Sequence, residues 1–342
     1  MKTIRLGRTN LKVSRVGIGG IPIQRPPEDE AIKVLQRCFE LGISYIDTSI
    51  AYGTSEERIG KAITDYRNDI IIATKTGWRD KDMANECLKK SLSNLQTDYI
   101  DIWQFHNVST PSAFKQLFKA DGAMEAAHQA LEEGKINYIG ISSHSLEIAR
   151  KAIISEDFST VLFPFNFIRN EPAEELLTLA KRHDVGFVAM KPFAGGSINN
   201  ANVAIKYLLQ FDTVLPVAGV EKVSEIEEIV EIVQRPWDLT SQDREMMETI
   251  HTELNKKLCR QCGECQPCPQ GVYIQMLMIT KGMWRLWPRE EFLNRWMPPA
   301  VDSWNKCNQC GECEKKCPYG LPVMQTISEN IEFYKKVAKG IG

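Results

Sequence analysis

The chain has 342 residues, 43% of them apolar, and a formal charge of −2 from 42 basic and 44 acidic side chains. That is too long for one small domain and apolar enough for a true core, and the near-balanced charge gives no support for nucleic-acid binding. No apolar run is long enough to span a membrane, and Met1-Lys-Thr-Ile-Arg-Leu-Gly7 lacks the apolar stretch of a signal peptide, so a cytoplasmic location is the expectation.

Met1–Val13 holds a Gly-Arg-Thr-Asn turn between two short β-like runs, the pattern of a hairpin that plugs the bottom of a barrel. From Arg15 to Val233 short β-rich runs alternate with helical patterns. The strands are expected at Arg15–Ile18, Ser44–Asp47, Ile70–Thr74, Ile100–Gln104, Tyr138–Ser142, Thr160–Phe165, Gly186–Met190 and Thr213–Val217. Helical periodicity follows, for example over Glu28–Leu41, Met83–Leu95, Pro172–Arg182 and Val223–Val233. Near-continuous apolar strands in eight such units predict an α/β fold, a parallel (β/α)8 TIM barrel. The alternative, an open doubly wound sheet, wants a glycine fingerprint after its first strand. Gly17-Ile18-Gly19-Gly20 does not complete G-x-G-x-x-G. Pro236–Lys257 reads as a helix leading off the barrel, which places the barrel domain at 1–256.

Residues 257–342 form a second, α-rich domain by composition. Eight of the ten cysteines lie there in two runs, Cys259-x2-Cys262-x2-Cys265-x2-Cys268-Pro and Cys307-x2-Cys310-x2-Cys313-x3-Cys317-Pro. The second run has the spacing that binds [4Fe-4S] clusters in bacterial ferredoxins; the first departs by one residue before Cys268. Zinc prefers spaced Cys-x2-Cys pairs, so the spacing favours two iron–sulfur clusters. Carried over from two-cluster ferredoxins, the ligation crosses: Cys259, Cys262, Cys265 and Cys317 hold one cluster, and Cys307, Cys310, Cys313 and Cys268 the other. Cys38 and Cys87, in barrel helices, read as packing thiols. The insert Gln270–Lys306 carries Trp284, Trp287, Trp296 and Trp304, expected to pack the small domain against the barrel. Met324–Val337 reads as a final helix.

Working residues of such barrels sit at the C-terminal strand ends. There the second strand offers Asp47 and, just beyond, Tyr52; the third offers Lys75; the fourth offers His106. A lysine beside a tyrosine favours the phenolate and lowers its pKa, and an aspartate holds the ammonium in place. The tyrosine then serves as general acid to a developing alkoxide, while the histidine donates to the same oxygen.

These segments, Asp47-Thr-Ser-Ile-Ala-Tyr52-Gly53, Ala73-Thr-Lys75-Thr, Gln104-Phe-His106-Asn107 and Gly140-Ile-Ser142-Ser143-His144, resemble those of the aldo-keto reductases. The resemblance covers essentially the whole chain and points to a branch with a C-terminal ferredoxin-like 2×[4Fe-4S] domain. It implies that Asp47, Tyr52, Lys75 and His106 are a catalytic tetrad, and that Ser142, Ser143 and Asn166 hold the nicotinamide end of NAD(P)H. Leu162 stands where the family often has a glutamine. The loop Lys191-Pro-Phe-Ala-Gly195-Gly196 is expected to cover a pyrophosphate through backbone N–H groups. After the eighth strand, Val217 and Ala218 replace the Lys-Ser pair that clamps a 2′-phosphate in the family, with Lys222 as a single charge beside Glu221. NADH, weakly held NADPH and FMN stay open as cofactors, and Gly195, Gly196 and Gly219 suit a phosphate at loops seven and eight.

The leading functional reading is an oxidoreductase that couples carbonyl or alcohol chemistry on a small molecule to electron transfer through the clusters, with a ferredoxin- or flavodoxin-type external carrier. The alternatives are an NAD(P)H-dependent carbonyl reductase with structural or redox-sensing clusters, and a non-catalytic electron-carrier subunit.

Overall fold

In the computed structural model, which describes residues 1–340, the chain opens with the expected hairpin: β1 (Thr3–Arg5) pairs antiparallel with β2 (Lys12–Ser14). Leu6 and Val13, both inaccessible to solvent, join a cluster with Tyr45, Ala73, Ile102, Leu162, Val188 and Leu215 from the barrel strands. Gly7 has φ +52°, and a Cβ there would lie 2.2 Å from the Gly186 nitrogen. Only glycine can bring this turn against the strand.

Eight further strands pair in parallel until the last meets the first: β3 (Gly17–Gly19), β4 (Tyr45–Asp47), β5 (Ile71–Thr76), β6 (Ile100–Phe105), β7 (Ile136–Ser142), β8 (Thr160–Pro164), β9 (Gly186–Met190) and β10 (Val214–Gly219). The barrel closes through Val217 opposite Gly17, as the apolar strand runs predict. The helices bury one face against it. Glu28–Glu40 turns Ala31, Val34, Leu35, Cys38 and Phe39 inward and starts on Glu28, Asp29 and Glu30, charges that suit a helix N-terminus. Asp80, Ser145 and Asn200 cap later helices through their side chains. The helix expected over Pro172–Arg182 is two pieces, Glu171–Glu174 and Leu176–Arg182. Glu175 forms a turn between them, at φ −108° and ψ −62°, and pairs with Arg150.

The chain divides into two compact units. One is Met1–Phe193 with Asn200–Thr240; the other is Ala194–Asn199 with the chain from Ser241 onward. The helix Ser241–Leu254 groups with the second unit. That unit has its own core of Val272, Ile274, Leu277, Met297, Leu321, Ile327 and their neighbours. The four insert tryptophans pack against this core, Trp284 on Phe292 at 5.2 Å between ring centroids and Trp287 on Trp296 at 5.1 Å. Phe292–Trp296 winds as a π-helix. The tail helix spans Val323–Ala338. Among the described residues no helix is long and apolar enough to cross a membrane.

Candidate active site and cysteine clusters

The C-terminal ends of β4, β5 and β6 bring the four expected residues together. Lys75 is fully buried, and its Nζ donates to Asp47 Oδ1 at 2.6 Å and to the Thr48 carbonyl at 2.5 Å. Gln104 Nε2 donates to Asp47 Oδ2 at 2.8 Å, so both carboxylate oxygens are occupied. Tyr52, 8% exposed, lays its ring 4.8 Å from the Lys75 ammonium and hydrogen-bonds it through its hydroxyl. The His106 ring meets the Tyr52 ring edge-on at 5.6 Å. Gly53, directly after Tyr52, has φ +50°, and Gln24 Oε1 stands 2.6 Å from where a Cβ would be, so a side chain there would be strained and would displace the end of Gln24.

Burial pushes the Asp47 carboxyl up, while Lys75 and Gln104 pull it down. Burial also opposes charge on Lys75, but Asp47 and Tyr52 overcome it and raise the lysine. With one carboxylate oxygen against the ammonium and the other accepting from Gln104, we take the pair as ionic. The tyrosine differs from expectation. Lys75 lowers its pKa as the sequence suggests, yet burial outweighs that contribution and the net direction is up. Desolvation penalises the phenolate more than one ammonium repays. The resident form is therefore the phenol, the form a proton donor must have. His106 is pushed down to about 3, by burial first and then by Lys75 and Arg79, so it is neutral.

The residues expected at the cofactor lie on β7 and beyond. Ser142 Oγ accepts from the Asn107 N–H at 2.8 Å. Ser143 Oγ is engaged with the Ser145 backbone, donating to its carbonyl and accepting from its N–H. Asn166 directs its carboxamide at backbone: Nδ2 donates to the Lys191 carbonyl at 2.9 Å, and Oδ1 accepts from the Ile168 and Arg169 N–H groups. Lys191, at φ +60°, reaches His144 Nε2 at 3.0 Å. Gly219 faces Pro22, whose Cγ is 2.8 Å from the position of a Cβ, so packing accounts for glycine there. Gly195 and Gly196 have φ of +68° and +81°; they group with the second unit, where Arg285 donates to the Gly196 carbonyl at 2.9 Å. Lys222 is exposed at the start of the helix Val223–Gln234, and its neighbour Glu221 is tied to Arg25 at 2.8 Å.

The motifs assign no role to Gln104 or Ser49. Strand alternation could have found Gln104. Ile102 points into the barrel and Trp103 outward, so Gln104, two residues on, must face inward beside Asp47.

In the second unit the two cysteine runs adopt the same local backbone. Gln261 and Gly263 have φ of +58° and +87°, and Gln309 and Gly311 have +57° and +73°. A Cβ at Gly263 or Gly311 would meet nothing within 4 Å, so these glycines serve the backbone turn. Positive-φ turns of this kind aim N–H groups at anions, and the Gln309 N–H already points to Cys307 Sγ at 3.4 Å. Cys259, Cys262 and Cys317 all lie near enough to Cys265 to act on its ionisation; burial first, then these neighbours, push it up to about 12. Cys268 lines one cavity with Cys265, Cys307, Cys310 and Cys313. Among the described residues no three Cys, His, Asp or Glu side chains converge as for a single ion; a four-iron cube takes one thiolate at each well-separated corner. Two grouped sets of cysteines, with the Gln309 N–H at Cys307 Sγ, suit such a group. Cys38 and Cys87 are buried, their thiols pushed up to about 12 and about 11 by desolvation, which makes them unreactive.

The fold and the site thus define a closed (β/α)8 barrel with an Asp-Lys-Tyr-His rim, followed in the chain by a domain with two cysteine runs. The chain belongs to the aldo/keto reductase family: residues 15–203 match that family's model, and residues 258–322 match a 4Fe-4S dicluster domain. It is 34% identical over 210 residues to an uncharacterized oxidoreductase of Bacillus subtilis, covering 57% of this chain and 66% of the relative. It is 32% identical to the L-galactose dehydrogenase of Arabidopsis thaliana, over 56% of this chain and 65% of that protein. The match thus spans just under two thirds of these relatives' own length. An aldo-keto reductase of Bacillus halodurans in its holo form superposes with a TM-score of 0.63 at 27% identity, covering 73% of this chain and 96% of that one. An aldo/keto reductase of Klebsiella pneumoniae in complex with NADP and acetate shares the fold, with a TM-score of 0.62 at 20% identity over 73% of this chain and 95% of that one. FMN finds no support among these relatives.

Proposed function

We propose that the chain is an NAD(P)H-linked carbonyl/alcohol oxidoreductase and that its two [4Fe-4S] clusters, taking one electron each, together accept or return the two electrons of one hydride equivalent and exchange them with an outside carrier. The observation that carries the barrel chemistry is the buried Asp47–Lys75–Tyr52 chain with neutral His106 against it. Bound NAD(P)H supplies a hydride to the carbonyl carbon. Tyr52 holds a proton at Oη and gives it to the oxygen as negative charge develops there. Lys75 then lies against the phenolate and stabilises it, and Asp47, held by Gln104, keeps Lys75 charged and in place. His106 orients the carbonyl oxygen through a ring N–H. Ser142, Ser143 and Lys191 are our candidates for the nicotinamide and phosphate groups, with Asn166 shaping the Lys191 loop. The small molecule is a carbonyl or alcohol, and the carrier a ferredoxin or flavodoxin in the cytoplasm.

For the cluster domain, which we take as 257–342, we propose the crossed ligand sets. The proximity of Cys317 to Cys265 supports that pairing, as does the cavity that Cys268 shares with Cys307, Cys310 and Cys313, with Cys265 at its lining as well. Each cluster, when bound, carries one electron at a time. Replacing Cys268 with Ala should cost iron from the Cys307 group and spare the Cys259 group.

An anaerobic visible spectrum before and after NADH or NADPH tests the coupling. Bleaching of the cluster band supports it. Intact clusters that do not bleach, in protein that still reduces a carbonyl, favour a plain NAD(P)H-dependent reductase with structural or redox-sensing clusters. The completeness of the barrel rim by itself supports that second reading.

A further inference from the structure

Ser49 has no part in the chemistry above. It lies between Asp47 and Tyr52 with its side chain fully buried. Its Oγ is 3.3 Å from His106 Nδ1 and 3.5 Å from the Lys75 carbonyl oxygen, and it accepts from the Ala51 N–H at 3.2 Å. A serine hydroxyl has one proton to give. The carbonyl stands at the outer limit of a hydrogen bond, so the imidazole nitrogen is the better place for it.

The surroundings of His106 point the same way. Tyr52 meets the ring edge-on at 5.6 Å, and Lys75 and Arg79 contribute positive charge. Arg79 donates to the His106 carbonyl at 2.6 Å, away from the ring nitrogens. A neutral imidazole has a single N–H, and the nitrogen that carries it decides whether the ring offers a substrate oxygen a donor or a lone pair. A lone pair facing that oxygen would repel the charge that builds up on it.

We infer that Ser49 is a positioning residue: its hydroxyl donates to His106 Nδ1, which keeps the ring proton on Nε2 for the substrate oxygen. The inference rests on the barrel being a carbonyl site. It deepens that reading by naming what selects the histidine tautomer. Partners of this kind fix ring orientation and tautomer at metal-bound histidines for the same reason.

The test uses full-length, cluster-loaded protein with 15N-labelled histidine and long-range 1H–15N correlation at neutral pH. The chain has five histidines, and His106 is assigned by its loss in His106→Asn. The Nε2–H pattern is expected in the parent protein and should give way to a tautomer mixture in Ser49→Ala. With 4-nitrobenzaldehyde and NADPH as probes, kcat in Ser49→Ala should fall roughly three- to tenfold, the scale of one hydrogen bond, with KM within about twofold. An Nδ1–H pattern in the parent protein overturns the inference, as does an unchanged pattern or an unchanged kcat in Ser49→Ala. Failure of the underlying reading looks different: Tyr52→Phe would then keep turnover, whatever the His106 spectrum shows.

Discussion

Tyr52 and Lys75 face opposite demands from the same burial. In the proposed mechanism the phenol must keep its proton until the oxygen needs it, and the ammonium must stay charged where water cannot help it. Removing the hydroxyl with Tyr52→Phe should lower kcat for carbonyl reduction roughly 10²- to 10⁴-fold, the range of one general acid. The far-UV dichroism and the cluster absorbance should stay unchanged. Replacing Lys75 with Met does more, because it strands the Asp47 carboxylate in a dry site. A loss of about 3–5 kcal/mol in urea unfolding is expected, and Asp47→Asn should recover part of it in the double variant. His106 and His144 are both held below their ordinary pKa by burial first, His106 down to about 3. The unfolded chain therefore binds protons that the folded chain refuses. Stability should be fully present above about pH 6.5 and decline as the pH falls from there toward about 3. His106→Gln should flatten that decline, as read by urea midpoints across the pH range.

At the scale of elements, the site depends on small residues that let strands and turns approach. Gly140 on β7 pairs with Gln104 on β6. A Cβ at Gly140 would stand 2.5 Å from Thr160 Oγ1 and 2.9 Å from Gln104 Cγ. Gly140→Ala should push Gln104 off Asp47 and cost about 1–3 kcal/mol, the usual penalty of overpacking. A fall in kcat larger than the stability loss explains, measured well below the unfolding temperature, would identify the Gln104–Asp47 contact as the route. The hairpin β1–β2 was legible because its turn residues stand between short β-like runs. The requirement for Gly7 was not, since it comes from the Gly186 backbone 179 residues away in the chain. The break at Glu175 was equally hidden: its partner Arg150 comes from another helix.

At the scale of the molecule, two units have separate apolar cores. The first packs its helices on the outer face of the barrel strands and closes the interior with the hairpin residues Leu6 and Val13, and the second packs its helices and tryptophans in a core against which cysteines lie. Six of the eight cysteines in the two runs lie against that second core, so the proposed cluster ligands also complete the packing. Removing iron should lower the unfolding temperature of the second unit and leave the barrel transition in place, because metal binding there is folding free energy. Calorimetry of loaded and iron-free protein checks this; a single transition that shifts as a whole would mean the units unfold together.

The sequence by itself determined the barrel, the paired cysteine runs and the four rim residues. Strand and helix periodicity, cysteine spacing and strand-end position are local patterns, written in consecutive residues. Only the tertiary structure decided the state of those residues. That Tyr52 stays a phenol depends on how completely the neighbouring strands and loops exclude water, which no motif records. Asn166 and Gly219 illustrate the same limit. Their positions in the chain suggest a cofactor, and only the fold shows that one carboxamide also holds the Lys191 loop and that Pro22 lies against the other residue. Ser49 reaches His106 only once β4 and β6 lie two strands apart in the closed barrel, since the chain between two residues 57 positions apart must first be wound into place. Local pattern names the groups; distance and dielectric, which exist only in the folded chain, assign their protons.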